Sequence, residues 1–271
     1  MNMLRLGVLT LFVLTVILFA SVKIKDAMTD DTPPVIYAAT DLLEISVTDG
    51  KDKLLHGMTA TDRQDGDLTD KLMVAGVSQL ITEDTAKITY VVFDSDGNMH
   101  SYVRKVRYTD YRRPHFRLTA PIVCEPGQST ILTDKLFASD VIDGDLSESI
   151  RVTAYYVNWT TEGQYTITVS ATNSMGDTAI VTLPLTVEKA DATRPTVTLS
   201  EYLIYLSKGD AFDPATYLTA ATVDGVTPLP LSQVTVQSDV DTARDGTYSV
   251  TYTYTAANGK TGTATLTVVV G

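Results

Sequence analysis

The sequence repeats one unit of about 80 residues three times, and this repetition limits the possible folds more than any other feature. Each copy opens at a proline junction, carries an Asp-Gly pair and ends in two alternating segments around a glycine-containing turn. The junctions lie at 32–35, 113–116 and 194–197, the Asp-Gly pairs at 65–66, 143–144 and 224–225, and the turns at 94–98, 173–176 and 258–260. Three sets of landmarks in the same order predict three structural copies of one small domain.

The two segments that close each copy alternate between apolar and polar residues. In the second copy Tyr165, Ile167 and Val169 alternate with Thr and Ser, and residues 179–187 continue the pattern. A period of two buries one face of a strand and leaves the other in solvent, which is typical of a β-sandwich. We therefore predict an all-β body with about seven short strands per copy. Further strands are predicted at 42–47, 72–77, 129–132, 150–156, 202–206 and 234–238, and domains at 29–110, 111–190 and 191–271.

An acidic motif within the copies carries a resemblance to a known family. The first copy reads ATDRQDGDLT at 60–69, the second reads ASDVIDGDLS at 138–147, and the third reads TVDGVT at 222–227, without the second Asp. Together with TYVVFDSDGN at 89–98, these runs resemble the bacterial Ig-like repeat known from pesticidal crystal proteins and many Gram-positive surface proteins. The resemblance implies three tandem immunoglobulin-like β-sandwich domains, which serve in that family as spacers or binding modules at the cell surface.

The N-terminal segment is apolar enough to cross a membrane. Residues Leu6 to Val22 carry no charge and would form a helix of roughly 25 Å, near the lower limit for a bilayer span. A cleaved signal peptide has a shorter apolar region followed by small residues. Because Leu18 stands where the nearest cleavage site requires a small residue, we favour an uncleaved signal anchor within residues 1–28. The bilayer is then a partner through residues 6–22, and the domains lie outside a Gram-positive cell as a single-pass protein.

Charge and cysteine content narrow the functional classes. The formal net charge of −12 argues against nucleic acid, which is bound through positive surfaces. Cys124 is the one cysteine of the chain, so the sandwiches hold without an intrachain disulfide, which suits a bacterial surface better than a eukaryotic one. The sequence contains no nucleophile elbow, phosphate loop or paired-carboxylate cleft, and we expect a non-catalytic protein.

Clustered carboxylates in the first copy are the candidate metal ligands. Asp62, Asp65 and Asp67 lie within six residues, and Asp94 and Asp96 flank the closing turn. Calcium takes six to eight oxygen ligands, so such a cluster is a candidate calcium site. The alternative is turn chemistry, since Asp bonds to nearby backbone and Gly supplies a positive φ. Turn chemistry is favoured, calcium stays the open alternative, and no other cofactor is expected.

An aromatic cluster in the second copy is the candidate ligand-stacking site. Tyr155, Tyr156 and Trp159 stand close together, and an exposed platform of this kind can stack on sugar rings. Packing in the core or between domains is the favoured alternative.

The leading functional hypothesis is a membrane-anchored extracellular stalk or adhesion protein. A glycan- or cell-wall-binding accessory protein is the second hypothesis, and a subunit of an envelope complex is the third. The protein or glycan partner is not specified by any motif.

Overall fold

The computed structural model describes residues 2–28, 31–128, 132, 134–223 and 225–271. One long helix, α1 (Asn2–Met28), precedes a body made of short strands, which confirms the all-β prediction with a single N-terminal helix. The described residues form 21 strands, seven in each repeat.

The strand bounds recur from repeat to repeat. The first repeat contains β1 (Val35–Ala38), β2 (Leu42–Ile45), β3 (Met58–Asp62), β4 (Gly66–Asp67), β5 (Met73–Val77), β6 (Thr85–Phe93) and β7 (Met99–Tyr108). The second contains β8 (His115–Leu118), β9 (Ile122–Cys124), β10 (Leu136–Asp140), β11 (Gly144–Asp145), β12 (Arg151–Tyr156), β13 (Gly163–Thr172) and β14 (Thr178–Val187). The third contains β15 (Thr196–Leu199), β16 (Leu203–Leu206), β17 (Leu218–Val223), β18 (Thr227–Pro228), β19 (Thr235–Ser238), β20 (Gly246–Thr255) and β21 (Thr261–Val270). Short 3-10 helices span Lys51–Leu55, Thr69–Lys71, Ser147–Ser149, Pro214–Tyr217 and Leu231–Gln233.

Each repeat folds its strands into one sheet of three and one sheet of four. The smaller sheets have the orders β1-β3-β4, β8-β10-β11 and β15-β17-β18. The larger sheets have the orders β2-β7-β6-β5, β9-β14-β13-β12 and β16-β21-β20-β19. In each larger sheet the second strand of the repeat runs parallel to the last one. Three pairs of sheets are consistent with three tandem β-sandwiches, as the resemblance implies.

The closing hairpins supply about half of the buried apolar residues, because their period of two directs every second side chain inward. In β6, Ala86, Ile88, Tyr90 and Val92 are 0% exposed. Burying an aliphatic or aromatic side chain of this size stabilises the fold by about 1.5–3 kcal/mol. The Tyr90 hydroxyl also donates to the carbonyl of Leu54 at 2.6 Å, which ties a short helix to the core.

Most differences from the sequence prediction concern the smaller sheets. The predicted strands beginning at 42, 72, 150, 202 and 234 are present within two residues of their predicted ends. Strands β1 and β3 and their counterparts were not predicted, because four or five residues are too few to establish a period. The strand predicted at 129–132 lies, apart from Leu132, outside the described residues, and the short strand β9 ends at Cys124 instead.

The chain divides into two compact units, Met1–Asp110 and Tyr111–Gly271. The second unit contains both the second and the third sandwich, whose buried residues form one continuous cluster. The backbone N–H of Phe116 in β8 donates to the Tyr205 hydroxyl in β16 at 3.0 Å. The His115 ring meets the edge of the Tyr205 ring, with centroids 6.2 Å apart. The two sandwiches of this unit therefore share both polar and aromatic contacts.

Candidate functional site

The acids of the first repeat hold a tight turn between β3 and β4. Asp62 Oδ1 accepts hydrogen bonds from the backbone N–H groups of Gln64 at 2.7 Å and Asp65 at 2.9 Å. Asp67 Oδ1 accepts from the backbone N–H of Thr69 at 2.9 Å. The hydroxyl and backbone N–H of Thr69 hold the pKa of Asp67 below its ordinary value. Each bond satisfies a local backbone donor, as expected of an Asp turn.

The same repeat joins this turn to the closing hairpin. Asp65 Oδ2 accepts from the backbone N–H of Ser95 at 2.6 Å, and its Oδ1 accepts from the Ser95 hydroxyl at 2.7 Å. Asp94 accepts from the backbone N–H and the side-chain amide of Asn98, both at 2.8 Å. Burial would raise the pKa of Asp94, but the Asn98 hydrogen bonds outweigh burial and lower it. Asp96 lies exposed at the tip of the hairpin.

The second repeat reproduces the Asp turn and its connection to the closing hairpin. Asp140 Oδ1 accepts from the N–H groups of Ile142 and Asp143, at 3.1 and 2.7 Å. Asp143 accepts from the backbone N–H and hydroxyl of Ser174, at 2.6 and 2.7 Å. Asp145 accepts from the backbone N–H of Ser147 at 2.9 Å. The motif that carries the family resemblance is therefore a hydrogen-bonded connection between two turns.

The third repeat makes this turn differently. Val223 pairs with Thr227, whereas Asp62 pairs with Gly66 at the same place in the first repeat. Gly225, with φ +74°, lies inside the turn, and Gly66 lies at its end. The alignment of the three Asp-Gly pairs at the sequence level was therefore wrong by two residues. Asp224 itself is outside the described residues.

The five candidate metal ligands, Asp62, Asp65, Asp67, Asp94 and Asp96, do not fit a calcium site well. Four of them direct carboxylate oxygens at N–H or O–H donors of their own turn or, for Asp65, of the closing hairpin. Within the described ranges, no group of three or more His, Cys, Asp or Glu side chains is arranged to hold a metal ion. Asp62 Oδ2 is buried without a hydrogen-bond partner. One such oxygen is far from the six to eight ligands that calcium takes.

A partly buried polar network at the start of the second sandwich was not predicted from the sequence. Asp177 Oδ1 and Oδ2 accept from the Arg113 guanidinium at 2.8 and 3.1 Å, and Oδ2 accepts from the Tyr111 hydroxyl at 2.9 Å. The Asn173 amide, 5% exposed, donates to Tyr111 and to Asp140 Oδ2, at 2.9 and 2.7 Å. The exchange of Asp and Asn between the hairpin turns of the two repeats, 94–98 and 173–177, was the available signal.

The pKa values in this network move in opposite directions. Burial would raise the pKa of Asp177, but the hydrogen bonds from Arg113 and Tyr111 outweigh burial and lower it. Burial, together with the neighbouring Asp177 carboxylate, raises the pKa of Tyr111. The network is therefore stable as an ion pair with a protonated phenol at neutral pH.

The candidate stacking residues Tyr155, Tyr156 and Trp159 are not brought together on one platform. Tyr155 pairs with the core-facing Ile167 and Tyr156 pairs with the outward-facing Thr166, so the two phenol rings leave opposite faces of β12. Their side chains are 64% and 78% exposed. Trp159 packs against the hydrophobic core of the unit. Trp159 is therefore packed against the core, whereas the two tyrosines are exposed to solvent.

An arginine occupies a core position of the first sandwich. Arg104 is 3% exposed, and its guanidinium donates to the carbonyl of His56 at 2.7 Å and to the Thr40 hydroxyl at 2.5 Å. Its Nε atom is buried without a partner. The pairing of the hairpins places Leu183 and Leu266 at the same position in the other two sandwiches, where both are 0% exposed.

A polar groove of about 990 Å³ lies between the two sandwiches of the second unit. Two ion pairs border it, Arg194 with Glu188 and Lys260 with Asp191, the latter at 2.6 Å. Lys260 and the hydroxyl of Thr193 hold the pKa of Asp191 well below its ordinary value. No aromatic side chain is among the described residues that line the groove.

Comparison with known proteins supports the resemblance drawn from the acidic motif. Residues 200–270 match the family model described as bacterial surface protein, Ig-like domain. The pesticidal crystal protein Cry22Aa of Bacillus thuringiensis is 33% identical over 127 residues, which are 46% of this chain and 17% of that protein. An uncharacterized 81.3 kDa protein of Acholeplasma phage L2 is 31% identical over 140 residues, which are 50% of this chain and 18% of that protein. The matched regions thus span less than a fifth of each of these relatives.

Solved structures also match this chain, at low identity and with low TM-scores. CBM51-2 in complex with GlcNAc and INT domains from Clostridium perfringens ZmpB has 19% identity and a TM-score of 0.24, covering 55% of this chain and 26% of that one. The lipoprotein BT2262 from Bacteroides thetaiotaomicron has 16% identity and a TM-score of 0.23, covering 57% and 98%. The similarity of the third sandwich to Ig-like domains of bacterial surface proteins rests on its family match alone.

Proposed function

We propose that this chain is a non-catalytic surface protein that is anchored in a membrane and presents its Ig-like domains outside the cell as a stalk or adhesion module. The observation that carries the proposal is the apolar stretch Leu6–Ile24 of α1, 19 residues long and 0% buried. Since none of the described residues buries this stretch, a bilayer is the apolar environment that its length and composition suit.

The use of the acids supports a presenting role over a catalytic one. Asp65 and Asp143 direct both carboxylate oxygens at serine donors of the closing hairpins. Carboxylates engaged in this way stabilise turns. Contact with a partner would then involve the surfaces of the sandwiches. The proposal accordingly assigns the partner to a sheet surface or edge.

The anchoring is tested by protease accessibility in a Gram-positive host. The full chain, carrying a C-terminal epitope, should lose the epitope when intact protoplasts are treated with trypsin, and should stay with the membrane fraction. A chain lacking residues 2–28 serves as the matched control and should stay protected inside the cell. Release of a shortened chain into the medium would contradict the anchor and indicate a cleaved signal sequence.

Glycan or cell-wall binding is a second candidate, favoured by the 78% exposure of Tyr156 on the outer face of its sheet. An aromatic ring in this position can stack on a sugar. A glycan array comparing the wild type with Tyr156→Ala tests the candidate, and Trp159→Phe is the control because Trp159 belongs to the core. Equal signals from the wild type and Tyr156→Ala would remove it.

A further inference from the structure

The second sandwich has an edge strand unlike the corresponding strands of the other two. Strand β12 lies at the edge of its four-stranded sheet, as do β5 and β19. The pairing places Tyr155 at the position of Val77 in β5 and Ser238 in β19, since each lies opposite the corresponding core residue of its closing hairpin. Tyr155 is 64% exposed and Val77 is 37% exposed. Natural edge strands are commonly protected from pairing with another chain by charges, prolines, bulges or short length.

The exposed side chains of β12 are distributed over both faces of the strand. Val152 and Tyr155 lie opposite the core residues Val169 and Ile167, so they continue the core-facing side of the sheet. Arg151 and Tyr156 lie opposite Ser170 and Thr166 and continue the outer side. Val152 is 49% exposed, although it is on the core-facing side. The sheet therefore ends in uncovered apolar and aromatic surface on both of its faces.

We propose that β12 pairs with β12 of a second copy of this chain, in antiparallel orientation about a two-fold axis between Thr153 and Ala154. This axis places Val152 of each copy opposite Tyr155 of the other, both on the core-facing side. It places Arg151 opposite Tyr156, both on the outer side. The first pair buries apolar surface, and the second sets a guanidinium beside an aromatic ring, an attractive arrangement. The strand is thus complementary to itself, as a two-fold interface requires.

Charge favours this edge over the corresponding edge of the third sandwich for contact between copies. The chain has a formal net charge of −12, so two copies repel each other in general. Arg151 is the one charged residue of β12. In the third sandwich the position after Ser238 is Asp239, whose carboxylate accepts from the backbone N–H of Ser249 at 2.6 Å. A second copy would meet an acid at that edge and meets none within β12.

The bulge in β12 determines how the two strands meet. The pairing with β13 shifts between Val152 and Ala154, and the Thr153 hydroxyl donates to the carbonyl of Thr168. A bulge interrupts main-chain pairing locally, so the side-chain pairs at the two ends carry most of the contact. Such a contact is small, and anchoring in a shared membrane would strengthen it by raising the effective concentration.

Disulfide trapping of the full chain in phosphatidylcholine vesicles tests the proposal. In a Cys124→Ser background, Ala154→Cys places one thiol of each copy next to the axis, and a disulfide requires a Cα separation of about 4.4–6.8 Å. Mild oxidation should convert this variant to a covalent dimer. Gly76→Cys, at the corresponding position of β5, is the matched control and should give several-fold less dimer. Tyr155→Ser, which introduces the residue of the third sandwich, should lower the dimer yield of Ala154→Cys several-fold.

The outcomes separate this proposal from its alternatives. Equal dimer yields for Ala154→Cys and Gly76→Cys would overturn it, because they would reflect random collision. An unchanged yield with Tyr155→Ser would also overturn it, since the exposed ring would then contribute nothing to the contact. Binding of a glycan or a foreign extended peptide through Tyr156, without the cross-link, would assign the edge to that partner instead. The proposal does not depend on catalysis or on calcium.

Discussion

The first and second sandwiches use the same turn hydrogen bonds but differ in their junctions and cores. Asp65 binds Ser95 as Asp143 binds Ser174, with matching atoms and distances. At the neighbouring turn, however, Asp94 faces Asn98, whereas Asn173 and Asp177 occupy these positions in reverse order. The family motif therefore specifies the hydrogen-bonded connection between the two turns. The residues of the neighbouring turn differ between the two domains.

The cores show the same contrast in a stronger form. Arg104 and Leu183 occupy one position in two sandwiches of the same topology. The guanidinium is tolerated because His56 and Thr40 supply oxygen acceptors inside the first sandwich. Each sandwich should therefore depend on the residue that its own core accommodates at this position.

The largest effect is expected from moving the arginine into the second sandwich. Leu183→Arg should destabilise the second unit by about 4 kcal/mol or more, because it buries a charge with no acceptors provided for it. Urea unfolding of the full chain in detergent should show the loss in the transition of that unit. A stable variant would contradict the claim that the acceptors in the first sandwich are specific.

The reverse exchange should cost less. Arg104→Leu should destabilise the first unit by about 1–3 kcal/mol, because it leaves the His56 carbonyl and the Thr40 hydroxyl without their donor. We expect the loss of these hydrogen bonds to cost more stability than the removal of the buried charge restores. Urea unfolding again provides the measurement, and a more stable variant would mean that the buried charge is a net cost.

The turn connections should stabilise both repeats, and the connection of the first repeat should contribute more. Asp65→Ala should cost about 1–2 kcal/mol by removing two hydrogen bonds to Ser95. Asp143→Ala should cost less, because Asp143 is more exposed than Asp65. Asp70→Ala, an exposed acid beside the turn, is the control and should stay within about 0.5 kcal/mol of the wild type.

Acid should weaken the second unit through Asp177. The pKa of Asp177 is lowered in the folded state, so its contribution is present above the unfolded value of about 3.9 and is lost as the pH falls through the folded value. Thermal melts from pH 6 downward should therefore show a steeper loss of stability for the wild type than for Asp177→Asn. Parallel pH dependences would mean that the Arg113 pair has no influence on stability.

Long strands with regular alternation could be predicted from the sequence, and the short strands of the smaller sheets could not. The closing hairpins, of nine or ten residues per strand, have enough alternation to reveal their buried face. The short strands of the smaller sheets do not, because β1 and β8 have only four residues each. Long periodic segments therefore establish the fold class and leave the smaller sheet to tertiary structure.

The candidate sites depended on contacts between residues far apart in the chain. The sequence indicated turn chemistry for Asp65, but its partner Ser95 lies 30 positions away and became visible only in the structure. The network around Asp177 spans 66 positions to Tyr111. The exposure of Tyr155 and Tyr156 and the packing of Trp159 against the core likewise depend on tertiary contacts, which an irregular five-residue segment does not reveal.

We infer that the repeated acids maintain the turns and do not bind a ligand. The dependence of the melting temperature on calcium tests this inference. The melting temperatures of the wild type should be the same in millimolar calcium and in excess chelator, because the oxygens of Asp65 and Asp94 already accept from Ser95 and Asn98. Asp65→Ala should melt lower than the wild type by the same amount in both conditions. A higher melting temperature in calcium, lost in Asp65→Ala, would contradict the account.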